Sequence, residues 1–336
     1  MKTTINDVAE LAGVSIKTVS RVMNNEPGVR QATVEKVKTA AKQLNYQPNQ
    51  SARSLAGNKA YMIGLVYDNP NAYYVIDMQN GILQACKKNN FELLIHPVNI
   101  ESSDSLAELA QMLKHSRISG LILTPPLSEM QSVIEMIKAS GIKLVNVLSG
   151  QKKSQSNDIP SVLVDDKTAA YHITEHLIKR GHQSIAFFSG DHAHQSSQQR
   201  LAGYKEALSA YRIPLNPAWI FDGKYSFESG VESCKRMLKM AGKPTAVFAC
   251  NDEIAAGALF AARLNDLDVP NDLAIAGFED NPFSRQTWPK LTTAAQPTKA
   301  IASEAAELLF KSFKTKPEEK AECIVFEPRL VVRQST

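Results

Sequence analysis

Apolar positions divide this chain into two kinds of segment. Over the first 44 residues they recur at helical spacing, which predicts helices over Ile5–Ala12, Ile16–Met23 and about 32–44. Glu26-Pro27-Gly28 breaks the second helix from the third, and Pro48 disfavours helix at Gln47. Residues 49–56 could form only two turns, a length marginal in water by itself. The segment reads as a linker, disordered when free and helical only when a partner holds it.

From Tyr61 the pattern changes to short continuous apolar runs alternating with amphipathic stretches. Tyr61-Met62-Ile63-Gly64-Leu65-Val66, Phe91-Glu92-Leu93-Leu94-Ile95, Gly120-Leu121-Ile122-Leu123-Thr124 and Lys143-Leu144-Val145-Asn146-Val147 read as strands. So do Ile185-Ala186-Phe187-Phe188, Ala246-Val247-Phe248-Ala249 and Leu273-Ala274-Ile275-Ala276-Gly277. Between them, 75–89 and 105–115 read as helices. Buried runs of this length between helices predict parallel sheets covered on both faces. The fold class expected is α/β, doubly wound, behind an all-α head, with ligands at the carboxyl ends of the strands. The polar stretch 152–160 interrupts the series halfway and suggests a crossover between two subdomains.

The head has the grammar of a helix-turn-helix. That motif needs a small residue where two helices touch, a Gly with positive φ at the turn, and apolar residues where the second helix packs back. Ala9, Gly13 and Val19 supply these, and Val8 and Val22 complete the buried face. Thr4 opens a Thr-x-x-Asp capping box with Asp7, and Ser15 can cap the second helix. Ile16, Lys17 and Arg21 then share a broad face away from Val19 and Val22, in the part of a recognition helix that meets base edges. Thr4, Ser15, Thr18, Ser20 and Asn24 suit hydrogen bonds to phosphates, which position a protein without reading sequence.

Charge sharpens this picture. The chain carries +4 overall. Residues 1–59 hold six Lys and three Arg against Asp7, Glu10, Glu26 and Glu35, or +5, leaving −1 for the remainder. A basic head on a near-neutral body suits attraction to a phosphate backbone at one end only. The four cysteines, Cys86, Cys234, Cys250 and Cys323, are scattered, as expected of buried thiols in a reducing cytosol. The N-terminus shows no run resembling a signal peptide, and nowhere do 18 apolar residues stand together. The expectation is a cytoplasmic, nucleoid-associated bacterial protein without a membrane partner.

Val14-Ser15, Thr18-Val19-Ser20-Arg21-Val22 and Asn24 resemble the headpiece of the LacI/GalR family of transcriptional regulators almost letter for letter. The resemblance extends over essentially the whole chain and implies a body like a periplasmic binding protein. By resemblance, Ile16 and Lys17 discriminate operator sequences and Arg21 makes a base contact that most members share. Ala52-Arg53-Ser54-Leu55 matches the hinge motif, with Asn49 just before it. Paired hinge helices would enter the minor groove, with Leu55 as an apolar wedge that unstacks a base step. Leu55→Ala is then expected to fold normally and lose specific affinity and bending in a gel-shift assay. The division expected is 1–46 for the helix-turn-helix, 47–59 for hinge and linker, and 60–336 for effector binding and dimerisation. Within the body, further crossovers near 289–293 and 323–326 would give an N-terminal subdomain of about 60–160 and 291–322. The C-terminal subdomain would take about 161–290 and 323–336.

A cleft between such subdomains is the default small-molecule site. Sugars call for planar polar side chains on hydroxyls and aromatic rings on ring faces. The loop Tyr67-Asp68-Asn69-Pro70-Asn71-Ala72-Tyr73-Tyr74 offers Ala72 and Tyr73, and Ser196 precedes Arg200-Leu201-Ala202-Gly203-Tyr204. The latter resembles the family's Arg-Leu-x-Gly-aromatic motif, whose Arg binds effector. Asn251-Asp252, Gly277-Phe278-Glu279-Asp280 and Gln296-Pro297 match three further family segments, and Tyr225 and Phe227 are candidate lid aromatics. The effector set expected is thus Ala72, Tyr73, Ser196, Arg200, Tyr225, Asn251, Glu279 and Gln296. Two positions depart from the family. Glu279 stands where Asp is usual, and Leu148 where many relatives have Asp, so the pocket should suit a different ligand.

An enzyme is the competing reading, but no Gly-x-Ser-x-Gly elbow, Walker A loop or Gly-x-Gly-x-x-Gly fingerprint occurs. His192 and His194 lack companion ligands for a metal, and the adjacent side chains of Asp165 and Asp166 should diverge. The reading is a non-enzymatic regulator without a cofactor or metal. It would be a homodimer on a palindromic double-stranded operator, released by a saccharide effector. A corepressor-dependent repressor is the alternative. No Leu heptad follows the last strand, so a dimer is favoured over a tetramer.

Overall fold

The computed structural model describes residues 3–23, 28–46, 61–69, 71–150, 158–314 and 320–336. They form two compact units, 1–61 and 62–336, each considered by itself. The predicted hinge, with Asn49, Ala52, Arg53 and Leu55, lies outside the described residues, as does Asn24.

The head comprises α1 (Ile5–Ala12), α2 (Ile16–Met23) and α3 (Gln31–Gln43). Val8, Ala9, Val19 and Val22 meet Val37, Ala40 and Ala41 of α3 in one small core. Gly13 ends α1 at φ 65°, a left-handed turn that costs a residue without Cβ nothing. Its N–H closes on the carbonyls of Ala9 and Glu10. Asp7 reaches back to the Thr4 N–H (2.7 Å) and accepts from its hydroxyl (2.9 Å), while Ser15 Oγ accepts from the Thr18 N–H (3.2 Å). These polar contacts mark where the chain enters each helix.

The body runs β1 (Met62–Tyr67), α4 (Ala72–Asn89), β2 (Glu92–Pro97), α5 (Ser105–His115), β3 (Gly120–Leu123), α6 (Gln131–Ala139), β4 (Lys143–Ser149) and β5 (Ser161–Val164). It continues α7 (Asp166–Lys179), β6 (Ile185–Phe188), α8 (Gln195–Ala210), β7 (Ile220–Phe221), α9 (Phe227–Leu238), β8 (Ala246–Ala249), α10 (Asp252–Arg263), β9 (Ala274–Ala276) and α11 (Pro282–Gln286). β10 (Thr293–Ala295), α12 (Thr298–Ser312), β11 (Cys323–Phe326) and β12 (Arg329–Val331) complete it.

Six parallel strands in the order β11-β5-β4-β3-β1-β2 form the first sheet, and four in the order β7-β6-β8-β9 form the second. Pleating sends Ile122 to the face packed by α4 and α12, and Leu121 and Leu123 to the face packed by α5 and α6. The central strands β3, β5, β6 and β8 are buried throughout, which is why β3, β6 and β8 read as unbroken apolar runs. No helix among the described residues is long and apolar enough to cross a membrane.

The subdomain boundaries differ from those expected. β5 and β11 pair within the first sheet, so residues 161–164 and 323–326 belong with the N-terminal subdomain. β10 pairs with β12, and Thr292 and Ala295 bridge to Ala276 and Glu279 beside the second sheet. Residues 292–295 therefore belong with the C-terminal subdomain. The polar stretch that suggested a crossing is followed by one more strand of the same sheet. The chain crosses only after that strand ends, at 165–166, 296–297 and 327–328. Asp165 N–H bonds to the Phe326 carbonyl (2.9 Å), tying two of the crossings together.

Candidate functional site

In the head, α2 buries Val19 and Val22 and turns Ile16, Lys17 and Arg21 outward. Ile16 is 50% exposed, an apolar side chain left in water on the first turn of a helix. Ser15 and Thr4 are exposed at the starts of α2 and α1, and Thr18 and Ser20 are half-buried. Ser15 and Thr18 also bond to one another through their hydroxyls (2.9 Å), which fixes both at the mouth of α2. Helix N-termini carry partial positive charge and free N–H groups, an arrangement that accepts phosphate.

The body holds the second site, a cavity of about 50 Å³ between the ends of the two sheets. Arg200 on α8 is its centre and is almost fully buried. Its Nε donates to Asp166 Oδ1 (2.7 Å), its Nη1 to the Cys250 carbonyl (2.6 Å), and Nη1 lies 3.8 Å from Glu279 Oε1. The guanidinium also stacks on Phe278, 3.8 Å from the ring centroid. Asp166 accepts a second bond from Ser149 Oγ of β4 (2.6 Å), and Glu279 Oε2 accepts from Asn71 Nδ2 (2.7 Å). Ser149 and Asn71 belong to the N-terminal subdomain, so the network runs from one subdomain through Arg200 and back.

Other contacts cross the same cleft. Glu129, in a short turn after β3, accepts from the Gln195 N–H at the start of α8 (3.1 Å). Tyr73 meets Phe283 edge-on at 5.8 Å, and Lys224 approaches Glu101 at 3.6 Å in solvent. Burial pushes Glu279 up to about 7 against the pull of Arg200. Burial likewise pushes Glu129 up to about 7, although the Gln195 and Ser149 N–H groups favour its ionised form. Glu279 also has φ 99° and Asp280 φ 56°, two consecutive side-chain-bearing residues in a region that favours glycine. Backbone bonds from Glu279 N–H to Ala294 and from Gln296 N–H to Glu279 hold the bend.

Of the expected effector residues, Ser196, Arg200, Tyr225, Glu279 and Gln296 line the cavity, as does Leu148. Tyr225 bonds through its hydroxyl to Ser196 (3.1 Å) and Ser197 (2.9 Å). Gly190 makes room for it, since a Cβ there would run into the Tyr225 ring. Three residues lie elsewhere. Asn251 is fully buried behind the wall, where its Oδ1 caps α10 by accepting from the Ile254 N–H (2.9 Å). Ala72, first residue of α4, faces solvent, and Tyr73 sits on Phe283 at the rim. Phe227 packs against Phe260 on the outside of the second sheet.

Asn71, Tyr74, Asp166 and His194 line the cavity and were not among the expected effector residues. Asn71 had a visible signal, a capping residue immediately before a helix; its Oδ1 accepts from the Tyr73 and Tyr74 N–H groups. Asp165 and Asp166 do diverge, the first capping α7 at Thr168 and the second turning to Arg200. His192 and His194 also part, to Asp222 and to the Tyr225 ring.

Comparison with known proteins finds matches over both units. Residues 4–49 match the model of the bacterial regulatory proteins, lacI family, and residues 174–336 that of a periplasmic binding protein-like domain. The chain is 35% identical over 332 residues to the ribose operon repressor of Haemophilus influenzae, covering 99% of this chain and 98% of that protein. Among solved structures, the Lac repressor dimer bound to operator and the anti-inducer ONPF superposes with a TM-score of 0.77. It is 28% identical, with 100% of this chain and 99% of that one covered. The complex of the transcriptional regulator CelR with cellobiose gives 0.75 at 27% identity, with both chains covered in full.

Proposed function

Because the chain belongs to the LacI family of bacterial regulatory proteins, we propose that it represses carbohydrate-utilisation genes and is released from a palindromic operator by a saccharide held in the cleft. The observation that carries this reading is the pairing, in one chain, of an outward-facing recognition helix with a cleft built around a buried arginine. Ile16, Lys17 and Arg21 present one apolar and two cationic tips to a major groove, and Arg21 can pair bidentately with a guanine edge. Thr4, Ser15, Thr18 and Ser20 are placed to meet phosphates on either side. Residues 47–59 would serve as the hinge, and a homodimer would match two half-sites. The similarity to a ribose operon repressor, to an operator-bound dimer and to a cellobiose complex supports each part of this reading.

The cavity of about 50 Å³ is well below the roughly 300 Å³ at which small-molecule sites begin. A saccharide therefore enters by parting the subdomains, which breaks Asn71–Glu279 and Glu129–Gln195 and replaces them with its own bonds. It shifts DNA affinity only to the extent that it binds the parted and closed forms unequally. The test is selection of genomic fragments on the purified full chain, followed by footprinting with and without saccharides. A protected site with two-fold symmetry that is lost on adding a sugar is the expected result. Uniform, sequence-independent protection would remove the proposal.

A further inference from the structure

We infer that the cleft selects its ligand by hydrogen-bond donors and turns away anions, so that the effector is an uncharged or amino-bearing sugar while phosphorylated and carboxylated sugars are excluded. The inference rests on the saccharide reading above and adds the charge class of the ligand. Among the described residues, the cavity wall contains one guanidinium, Arg200, and two carboxylates, Asp166 and Glu279, with no lysine. Two of the three Arg200 nitrogens are already engaged. Its Nε is held by Asp166 at 2.7 Å and its Nη1 by the Cys250 carbonyl at 2.6 Å, so its charge is already matched. With Asp166 matched to Arg200, Glu279 is the carboxyl left over, and an anion brought to this poorly solvated space meets its like charge as Glu279 ionises around pH 7.

Acceptors, by contrast, are waiting. Gln296 Oε1 is buried with no hydrogen-bond partner, and the nearest cation to Glu279 Oε1 is the Arg200 Nη1 at 3.8 Å. A hydroxyl or ammonium group satisfies both, whereas a phosphate at neutral pH has little to donate. His194 adds no fixed positive charge, since burial pushes it toward the neutral form. Leu148 adds an apolar stretch to the wall and offers an anion no hydrogen-bond donor.

The experiment compares matched ligands on the full-length protein by thermal shift, followed by calorimetry. The probes are ribose, glucose, cellobiose and glucosamine against ribose 5-phosphate, glucose 6-phosphate and glucuronate. At least one of the first group is expected to bind, with its anionic counterpart weaker by about tenfold or more. An anionic sugar that binds as tightly as its parent overturns the inference while leaving the saccharide reading intact. A panel in which nothing binds removes the saccharide reading, and the inference with it. Glu279→Gln keeps an acceptor and deletes the charge, so it is expected to narrow the gap between parent and anion. A gap of unchanged size overturns the role given to Glu279.

Discussion

In the head, the side chains that would read DNA stand exposed on a helix whose opposite side is buried; in the cleft, those that would read a ligand are buried and bonded to one another. Arg21 and Arg200 carry the same charge in opposite circumstances. Arg21 lies on the exposed face of α2, whose packing rests on Val19 and Val22. Arg200 is nearly inaccessible and links Asp166, the Cys250 carbonyl and Glu279. The head thus separates recognition from stability, whereas the cleft makes one network serve both.

The largest effect should come from breaking that network. Arg200→Ala strands Asp166 in a buried site and is expected to cost the body about 3–5 kcal/mol, read by urea unfolding, along with any response to sugar. A loss below about 1 kcal/mol would show that the pair is better solvated than its geometry indicates. Arg21→Ala should do the reverse. Operator affinity drops by about 1–3 kcal/mol, roughly 5- to 150-fold at fixed salt, while unfolding moves by much less. If unfolding moved as far as affinity, the separation drawn above would fail.

A pH series sharpens the contrast. Burial holds the Glu279 proton to about 7, whereas an unfolded glutamate releases it near 4.5. Between those values the folded body binds more protons than the unfolded chain, so this group's contribution to stability declines as pH rises through the window. Glu279→Gln should flatten the curve of melting temperature between pH 5 and 7, leaving the slope due to Glu129 and the other buried carboxyls, Asp252 among them. Parallel curves for the two proteins would remove Glu279 as a titrating group. The smallest change expected is Ser15→Ala, which removes the cap of α2 and costs the head about 1 kcal/mol. Circular dichroism melts of the isolated effect on helix content would detect it; a larger drop would mean that the Ser15–Thr18 pair holds more than a helix end.

The same contrast explains what could be read from residues alone. Helix-turn-helix contacts lie within a few residues of each other, so Ala9, Gly13, Val19 and the periodic face around them state the motif locally. Most buried strands are equally legible, because burial on both faces leaves an unbroken apolar run, but β5, four residues opening on Ser161, is not. Cleft partners are remote in the chain: Asn71 and Glu279 are 208 positions apart, Asp166 and Arg200 34. Spacing cannot announce such pairs, and similarity to a family pointed to Arg200 and Glu279 but not to Asn71, Asp166 or Glu129. Asn251 shows a related ambiguity, since an Asn-Asp pair at a strand end serves a helix cap as readily as a ligand, and here its Oδ1 caps α10. The subdomain limits slipped because polarity marks where a chain leaves water-free packing, not which sheet its next strand joins.

Among the described residues, three segments join the halves of the body, at 165–166, 296–297 and 327–328, and the first and third are hydrogen-bonded to each other. In mechanical terms a single link would be a swivel, free to twist, tilt and slide. Several links side by side resist twisting and sliding and leave bending as the soft motion, the arrangement of a door on its jamb. Whatever occupies the cleft can therefore set little besides an opening angle, and the protein converts chemical identity into one geometric variable.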